Sequence, residues 1–208
     1  MPSVPSTPRG LATRDQIVRA ARHVFAESGY VGARMSDVAA EAKLSLGGLY
    51  RYFADKEDVF AVLVADLQDG LYAASRAPGH DFATDPRGAL YEANRGYLEY
   101  YHAHRGVLRA FVEAATVEPR FRDQWRRMRD RHVDRFVHVL AGAYPRHELD
   151  GADARRAAEA MACLVEQSAY VWFGHEDLRA DPVDVDAAAT TVTQAWHRTF
   201  FGITRGGR

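Results

Sequence analysis

Residues 25–57 of this 208-residue chain, FAESGYVGARMSDVAAEAKLSLGGLYRYFADKE, contain the clearest evidence for a three-helix unit. Just upstream, apolar residues recur at helical spacing over residues 17–25, which predicts a first helix with one buried face. Thr13 and Gln16 have the spacing of a capping box, so the helix is expected to begin there. Gly29 suits the left-handed conformation that commonly ends a helix. The opening of the chain is therefore predicted to be helical from Thr13 to this glycine.

Two short helices are predicted next, roughly Met35–Ala42 and Leu46–Phe53, joined by the turn Lys43-Leu44-Ser45. Ser45 is a natural N-cap for the second of them. Two short helices joined by a tight turn are typical of a helix-turn-helix, whose second helix enters the major groove of DNA. Asp55 is expected to cap a fourth, longer helix over residues 56–76.

Five motifs in this region share the order and spacing of a known signature: FAESGY at 25–30, DVA at 37–39, Leu44-Ser45, LYRYF at 49–53 and DKE at 55–57. They resemble the TetR family of helix-turn-helix transcriptional regulators, over about 45 residues. The resemblance implies a homodimer, a double-stranded DNA operator and a small-molecule effector. Two positions depart from the family pattern. Ala33-Arg34 stands where a Thr pair is usual, which puts a helix cap and a phosphate contact in doubt, and Lys43 stands where glycine is usual.

The residues predicted to contact DNA are Arg34, Ser36, Lys43, Ser45, Leu46, Gly47, Gly48, Tyr50, Arg51, Tyr52 and Lys56. Arg34 is suited to a bidentate bond with guanine, and Tyr50 and Lys56 are suited to phosphate. Gly47 and Gly48 are poor helix formers, which suggests a backbone that approaches DNA closely. Three alternatives stay open: a half-buried core tyrosine at 50, a solvated lysine at 56 and a merely loose helix at the glycine pair.

The remainder of the chain is also predicted to be helical, because no segment alternates with a period of two residues. The fold class is therefore all-α, with about nine helices. Residues 1–12 are predicted as a disordered tail, residues 13–56 as the DNA-binding domain, and residues 57–208 as a larger ligand-binding and dimerisation domain. Helices in that larger domain are expected at 86–104, 107–117, 119–143, 153–173 and 182–201.

The larger domain is rich in aromatic residues, which in a helical body most often form plain core. The family resemblance implies a pocket there, and the lining residues predicted on that basis are Tyr97, Tyr101, Phe111, Trp125, Phe136, Glu166 and Tyr170. This composition favours a largely apolar or aromatic effector. Glu166 lies in an apolar run, where a carboxylate is costly unless it is paired. A salt bridge or an exposed position is therefore expected for it ahead of a ligand contact.

By the same resemblance, the last two helices form the dimer interface. Alanine-rich faces allow close helix approach, and Trp196, Phe200 and Phe201 are expected as bulky anchors. The alternative is that these aromatic residues close the protein's own core. A two-fold dimer favours a palindromic operator read at sites one DNA turn apart. The expected mechanism is repression by occupancy, relieved when the effector binds.

Charge adds mild support for a DNA-binding front end. The formal net charge is −1, but residues 1–56 hold eight Lys or Arg against five acids. The amino-terminal residues lack a signal-peptide core and no apolar run reaches the length of a membrane span, so a cytoplasmic protein is expected. The single cysteine, Cys163, excludes an intrachain disulfide.

Two other classes of protein compete with this interpretation. For an enzyme, no nucleophile, phosphate-loop or metal-ligand motif is found, and the histidines His102 and His104 fall on different helix faces. No catalytic residue, metal or cofactor is therefore predicted. The other competitor is a dimeric DNA-binding protein without an effector, which would have a filled helical core in place of a cavity.

Overall fold

The computed structural model describes residues 6–145, 149, 152–175, 178 and 181–202. Over these residues the chain is all-α, as predicted, and residues 170–174 extend α8 as one π-helical turn. Nine α-helices occur within this part of the chain: α1 Pro8–Gly32, α2 Met35–Glu41, α3 Leu46–Tyr50, α4 Lys56–Ala74, α5 Pro86–Ala103, α6 Arg105–Val117, α7 Pro119–Ala143, α8 Ala154–Ala169 and α9 Val185–Phe201.

The start of α1 differs from the prediction. The helix begins at Pro8, where the Thr7 hydroxyl accepts a hydrogen bond from the Gly10 backbone N–H at 3.1 Å. Thr13 lies inside the helix, where its hydroxyl donates to the Arg9 carbonyl. The predicted capping box is therefore wrong, and residues 8–12 of the predicted disordered tail are helical. A proline in the first turn after a threonine cap is itself a strong start signal, and it comes earlier in the chain. Residues 1–5 lie outside the described residues.

Gly29 bends α1 before the helix ends at Gly32. Its φ of 68° is positive, as expected for a glycine at this point, but its ψ of −178° lies in the extended positive-φ region that essentially only glycine adopts and not in the left-handed helical conformation predicted for it. The bend exposes the next backbone N–H, that of Tyr30, which donates to Glu113 Oε2 at 2.7 Å. A side chain at Gly29 would collide with this carboxylate, so glycine is required there for both space and backbone geometry.

The chain forms two compact units. The first unit contains Met1–Asp69 and His104–Asp123, and the second contains Gly70–Ala103 and Gln124–Arg208. This division differs from the predicted linear boundary after residue 56, because α6 packs along α1 within the first unit. Arg109 on α6 donates to the Ala26 carbonyl at 3.1 Å, and Gly106 fits closely against the same turn.

Aromatic rings form the core of the first unit. Phe60 lies 4.5 Å from Phe25, 5.0 Å from Tyr30 and 5.1 Å from Phe121, measured between ring centroids. The Tyr30 hydroxyl donates to Glu57 Oε1 at 3.0 Å. Burial, with the Glu57 carboxylate, raises the pKa of Tyr30 well above its usual range. This cluster fixes the end of α1 to the start of α4, which frames the two short helices between them.

The core of the second unit contains residues that were predicted at the dimer interface. Trp196 and Phe200 are only 8% and 2% exposed, and their rings lie 4.6 and 4.7 Å from Phe136 of the same chain. Their predicted role as interface anchors is therefore wrong. Phe201 is half-buried and lies 5.3 Å from Tyr144. The helical period made one side of α9 apolar, and that side faces the protein's own core.

No helix within the described ranges is both long enough and apolar enough to cross a membrane.

Candidate functional site

The short helices α2 and α3 form a helix-turn-helix in the first unit. Val38 and Ala39 of α2 are buried, as are Leu49 of α3 and Phe53 just after it. These side chains seat α3 on the core with its other side exposed. The Ser45 hydroxyl accepts from the Gly48 backbone N–H at 3.1 Å, which confirms the predicted cap. Asp55 caps α4 in the same way, through the Asp58 N–H at 2.7 Å.

The turn between α2 and α3 contains the departure that the sequence indicated at Lys43. This residue has a φ of 53°, and it is the one non-glycine residue with positive φ among those the structure describes. Its backbone N–H donates to Ala40, and that of Leu44 donates to Ala39, so the end of α2 is closed by hydrogen bonds. The left-handed conformation costs a non-glycine residue roughly 1–2 kcal/mol. The exposed Lys43 side chain extends from this turn.

The second departure, at the start of α2, also has a structural outcome. Arg34 occupies the cap position with φ −123° and ψ 150°, and its side chain makes no capping hydrogen bond. The missing cap was the expected consequence of losing the usual threonine. Because the guanidinium is exposed and does not cap the helix, it is available to a partner.

None of the eleven residues predicted to contact DNA is buried. Eight are exposed, namely Arg34, Ser36, Lys43, Ser45, Leu46, Gly47, Tyr50 and Arg51, and three are half-buried, namely Gly48, Tyr52 and Lys56. The helix α3 is shorter than predicted and ends at Tyr50, so Arg51 and Tyr52 follow its last turn. Their contacts with DNA remain predictions, and their exposure is compatible with them.

Lys56 has a structural contact that the sequence did not indicate. Its ammonium donates to the Tyr30 carbonyl at 2.9 Å and lies 4.5 Å from the centre of the Tyr30 ring. An ammonium has three N–H donors, so this bond leaves others for a phosphate. A loss at this position would therefore disturb the core as well as any DNA contact.

Gln16 is a positioning residue that sequence reasoning missed. Its side-chain amide donates to the Ala42 carbonyl at 2.8 Å, which ties α1 to the end of α2. The two residues are 26 positions apart, so no local pattern could pair them.

The second unit contains a cavity of about 480 Å³. Much of its wall is apolar, with Leu90 from α5, Met128 and Phe136 from α7, Val165 from α8 and Trp196 from α9. The volume lies within the roughly 300–1,000 Å³ that is usual for small-molecule sites. Four helices of the second unit thus enclose a space large enough for a small ligand.

Three of the seven predicted lining residues, Tyr97, Phe136 and Glu166, do line this cavity, and four do not. Tyr101 stacks behind Tyr97 at 6.4 Å, and the Trp125 indole donates to Glu166 at 3.3 Å. Tyr170 lies against His175, with their ring centroids 4.7 Å apart. Phe111 is buried on α6 in the first unit. Periodicity showed that these residues were apolar or aromatic, but not which space each one borders.

The charged Glu166 is paired, as its apolar surroundings required. Its carboxylate accepts from Arg129 Nη2 at 2.6 Å. Burial raises the pKa of Glu166, and the arginine beside it acts in the opposite direction. This pair neutralises the carboxylate at the cavity wall, so it offers no net charge to a ligand.

His132 also lines the cavity, and it was not predicted. Its Nδ1 lies 2.8 Å from the Met128 carbonyl, which can only accept, so Nδ1 carries the hydrogen. Burial is the main cause that lowers the pKa of His132 to about 4, with the nearby Arg135 and Arg131 adding to it. The imidazole is therefore neutral at pH 7.

Two family models match the chain. Residues 17–63 match "Bacterial regulatory proteins, tetR family", and residues 90–202, more than half of the chain, match "Transcriptional regulator EthR, C-terminal domain". The chain belongs to the TetR family of transcriptional regulators. The first match covers the helix-turn-helix, so the exposed face of α3 belongs to the DNA-binding part of a TetR-family regulator.

Curated relatives in the TetR family include both activators and repressors. The transcriptional activator FasR of Mycolicibacterium smegmatis is 25% identical over 185 residues, which covers 88% of this chain and 81% of that protein. BetI of Paraburkholderia phytofirmans is 25% identical, covering 84% and 87%. The repressor NicS of Pseudomonas putida is 33% identical over 92 residues, covering 44% and 43%.

Solved TetR-family structures have the same fold. A regulator from Syntrophomonas wolfei has a TM-score of 0.73 at 15% identity, covering 95% of this chain and 99% of that one. The fatty acid degradation regulator FadR of Bacillus halodurans has a TM-score of 0.69 at 20% identity, covering 96% and 98%. At these identities the likeness shows the fold alone.

Proposed function

We propose that this TetR-family regulator is a repressor that binds a palindromic operator as a homodimer and is released by a small, largely apolar effector. The observation that carries the proposal is α3, whose Leu49 is fully buried while Leu46, Gly47 and Tyr50 beside it are exposed. A helix anchored on one side and open on the other can enter a major groove without unfolding its support. Because the target is chromosomal DNA, the proposed site of action is the cytoplasm.

Direct readout is proposed for few side chains. The exposed guanidinium of Arg34 has the fork geometry that pairs with guanine. Leu46 is suited to a thymine methyl group. Lys43, Tyr50 and the remaining N–H groups of Lys56 are proposed to bind phosphate, which gives affinity and orientation in place of sequence specificity.

The dimer is proposed to form through the outward sides of α8 and α9. Exposed residues of these helices include small or polar ones and one leucine, namely Ala160, Leu164, Gln167, Ala187, Thr190 and Gln194, beside the charged Arg155, Arg156, Glu159, Asp186 and Arg198. Small residues allow two helix pairs to approach closely, and a two-fold axis would then present two copies of α3. Two copies of α3 about 34–36 Å apart would match successive major grooves, which is why a palindromic operator is expected.

Release is proposed to start in the cavity. The wall includes Ser75, the residue that follows α4, and α4 begins at Lys56 close to the helix-turn-helix. A ligand that prefers another position for the end of α4 lowers DNA affinity by its differential binding energy. A DNA-binding protein without an effector remains the alternative, and the 480 Å³ cavity favours the effector-responsive form.

The test is a titration of the full chain against the DNA upstream of its own gene at two salt concentrations. We expect site-specific binding, and we expect the logarithm of the association constant to fall linearly with the logarithm of the salt concentration. Binding that is equally weak on every sequence would refute the regulator mechanism at that site. Transcription in vitro from the same promoter separates repression from activation, a choice that matters because the relatives include both NicS and FasR.

A further inference from the structure

Arg135 occupies an unusual place in the second unit. It lies on α7, lines the cavity and is half-buried. Its Nη1 donates to the Tyr72 carbonyl at 2.8 Å, and its Nη2 donates to the Ser75 carbonyl and the Ser75 hydroxyl, each at 2.7 Å. Its guanidinium carbon also lies 4.2 Å from the centre of the Tyr72 ring.

The oxygens that Arg135 contacts belong to the end of α4. Helix α4 ends at Ala74, and the last carbonyls of a helix have no partner within the helix. A cation at this end also interacts favourably with the helix dipole. Arg135 therefore caps α4 from the cavity wall, and a change in this side chain would reach the helix directly.

The charge of Arg135 has no anionic partner in the described part of the chain. Each of its hydrogen bonds goes to a neutral oxygen, and no carboxylate lies within 4.0 Å. Burial lowers the pKa of Arg135, the neighbouring Tyr72 acts in the opposite direction, and the positive charges of Arg76 and Arg131 lower it further. A half-buried cation near other cations is stabilised by an anion that reaches it.

None of the other ionisable residues on the cavity wall supplies an anion to Arg135. Glu166 is neutralised by Arg129, and His132 is neutral at pH 7. His80, also on the wall, pairs at 2.8 Å with Asp85, which does not line the cavity. Asp81, the remaining acid on the wall, is exposed and accepts from the Ala83 N–H. Arg76, also on the wall, is exposed and makes no ion pair within the described residues.

We propose that the cavity binds an amphiphile whose anionic head group pairs with Arg135 and whose apolar chain lies against Leu90, Met128, Val133 and Phe136. This inference rests on the proposed function and names the chemistry of its effector. A carboxylate or a phosphate would satisfy it, since each offers acceptor oxygens to the guanidinium fork.

Binding of such a head group would also explain how a ligand in the cavity affects helix α4. An anion offers the guanidinium an opposite charge as well as acceptor oxygens that match its fork, neither of which the neutral oxygens of Tyr72 and Ser75 supply, so it competes well for the Arg135 N–H groups. As the guanidinium turns toward the anion, Tyr72 and Ser75 lose their cap. The end of α4 is then free to adopt another position.

The test measures ligand binding to the full chain without DNA, using three probes with the same ten-carbon chain. Decanoate, decyl phosphate and decan-1-ol are titrated below their aggregation concentrations, with tryptophan fluorescence and calorimetry as readouts. We expect at least one of the two anions to bind ten-fold or more tightly than the alcohol, and comparison of the two identifies the head group.

Substitutions at Arg135 test whether this residue causes the preference for an anionic probe over the alcohol. In Arg135→Gln the anion should bind within about two-fold of the alcohol, whereas Arg135→Lys should keep part of the preference because the positive charge remains. Arg127→Gln, at an exposed position on the same helix, should behave as wild type. If the glutamine variant does not fold, the inference is tested by the wild type, which should prefer an anion to the alcohol, and by the lysine variant, which should keep part of that preference.

Three results would overturn the inference: an alcohol that binds as tightly as both anions, an anion preference that survives in Arg135→Gln, or no binding of any probe. In each case a wild-type protein that still binds its operator leaves the regulator function standing. Conversely, anion binding through Arg135 without operator binding would overturn the proposed function alone.

Discussion

Replacing Gly47 by alanine separates the needs of the fold from the needs of DNA binding. Gly47 is exposed in α3, and a methyl group added there would meet no heavy atom within 4 Å. Its φ is not positive. Nothing in the described protein therefore requires glycine at this position. Alanine in place of glycine within a helix raises the free energy of unfolding by roughly 0.5–1 kcal/mol.

The effect on DNA binding should have the opposite sign. If the α3 backbone approaches the sugar-phosphate chain, the new methyl group occupies space that the DNA needs. A loss of about 1.4 kcal/mol corresponds to ten-fold in affinity, and we expect at least this much. A variant that is more stable yet binds less tightly cannot owe its defect to misfolding.

The measurements are denaturant unfolding of the free protein and fluorescence anisotropy with operator DNA. Gly142→Ala is the matched control, because Gly142 is exposed in α7 and its added methyl group also meets nothing within 4 Å. Because Gly142 lies next to the end of α7, the free energy of unfolding of this variant should rise by an amount near the lower end of the same range. Its affinity for DNA should not change. Unchanged operator binding by Gly47→Ala would refute close backbone approach, and a loss of stability would refute the reasoning about open space.

Three further substitutions test other parts of the structure. Lys43→Gly removes a non-glycine residue from a φ of 53°, so it should raise the free energy of unfolding by up to about 1 kcal/mol and lower the salt dependence of DNA binding by about 0.9 in slope; an unchanged slope counts against a phosphate contact. His132 should make unfolding pH-dependent, because its folded pKa of about 4 lies below its unfolded value of 6.5. The unfolded chain then binds the extra proton, so about 3 kcal/mol present above pH 6.5 is lost as the pH falls toward 4. Urea unfolding at several pH values should show this slope in the wild type and a flatter one in His132→Leu, and equal slopes would contradict it. Glu166→Gln leaves Arg129 half-buried without its carboxylate, so chemical unfolding should show a loss of about 2–4 kcal/mol, and a loss below about 0.5 kcal/mol would mean that the pair is solvated.

Features that depend on neighbouring residues were predictable from the sequence. The helices, the caps at Ser45 and Asp55 and the positive φ of Gly29 each arise within a few positions of the residue concerned. The motifs of the TetR family lie in the same short region, which is why the DNA-binding class was identifiable.

Local signals also compete, and the start of α1 shows this. Thr13 and Gln16 have the residue types of a capping box, but Thr7 and Pro8 begin the helix earlier in the chain. Once the helix has begun, propagation is favourable, so the second start signal is absorbed into its interior.

The all-α class, the family and the residues that point outward from the helix-turn-helix could therefore be inferred without any coordinates. Three features became visible in the folded chain alone: α6 belongs to the first unit, Trp196 and Phe200 close the core of their own chain, and Arg135 lies between the cavity and the end of α4. Helical periodicity specifies which side of a helix is apolar, because that depends on residues three and four apart. It does not specify what covers that side, because the partner comes from elsewhere in the chain: Arg135 and Ser75 are 60 positions apart.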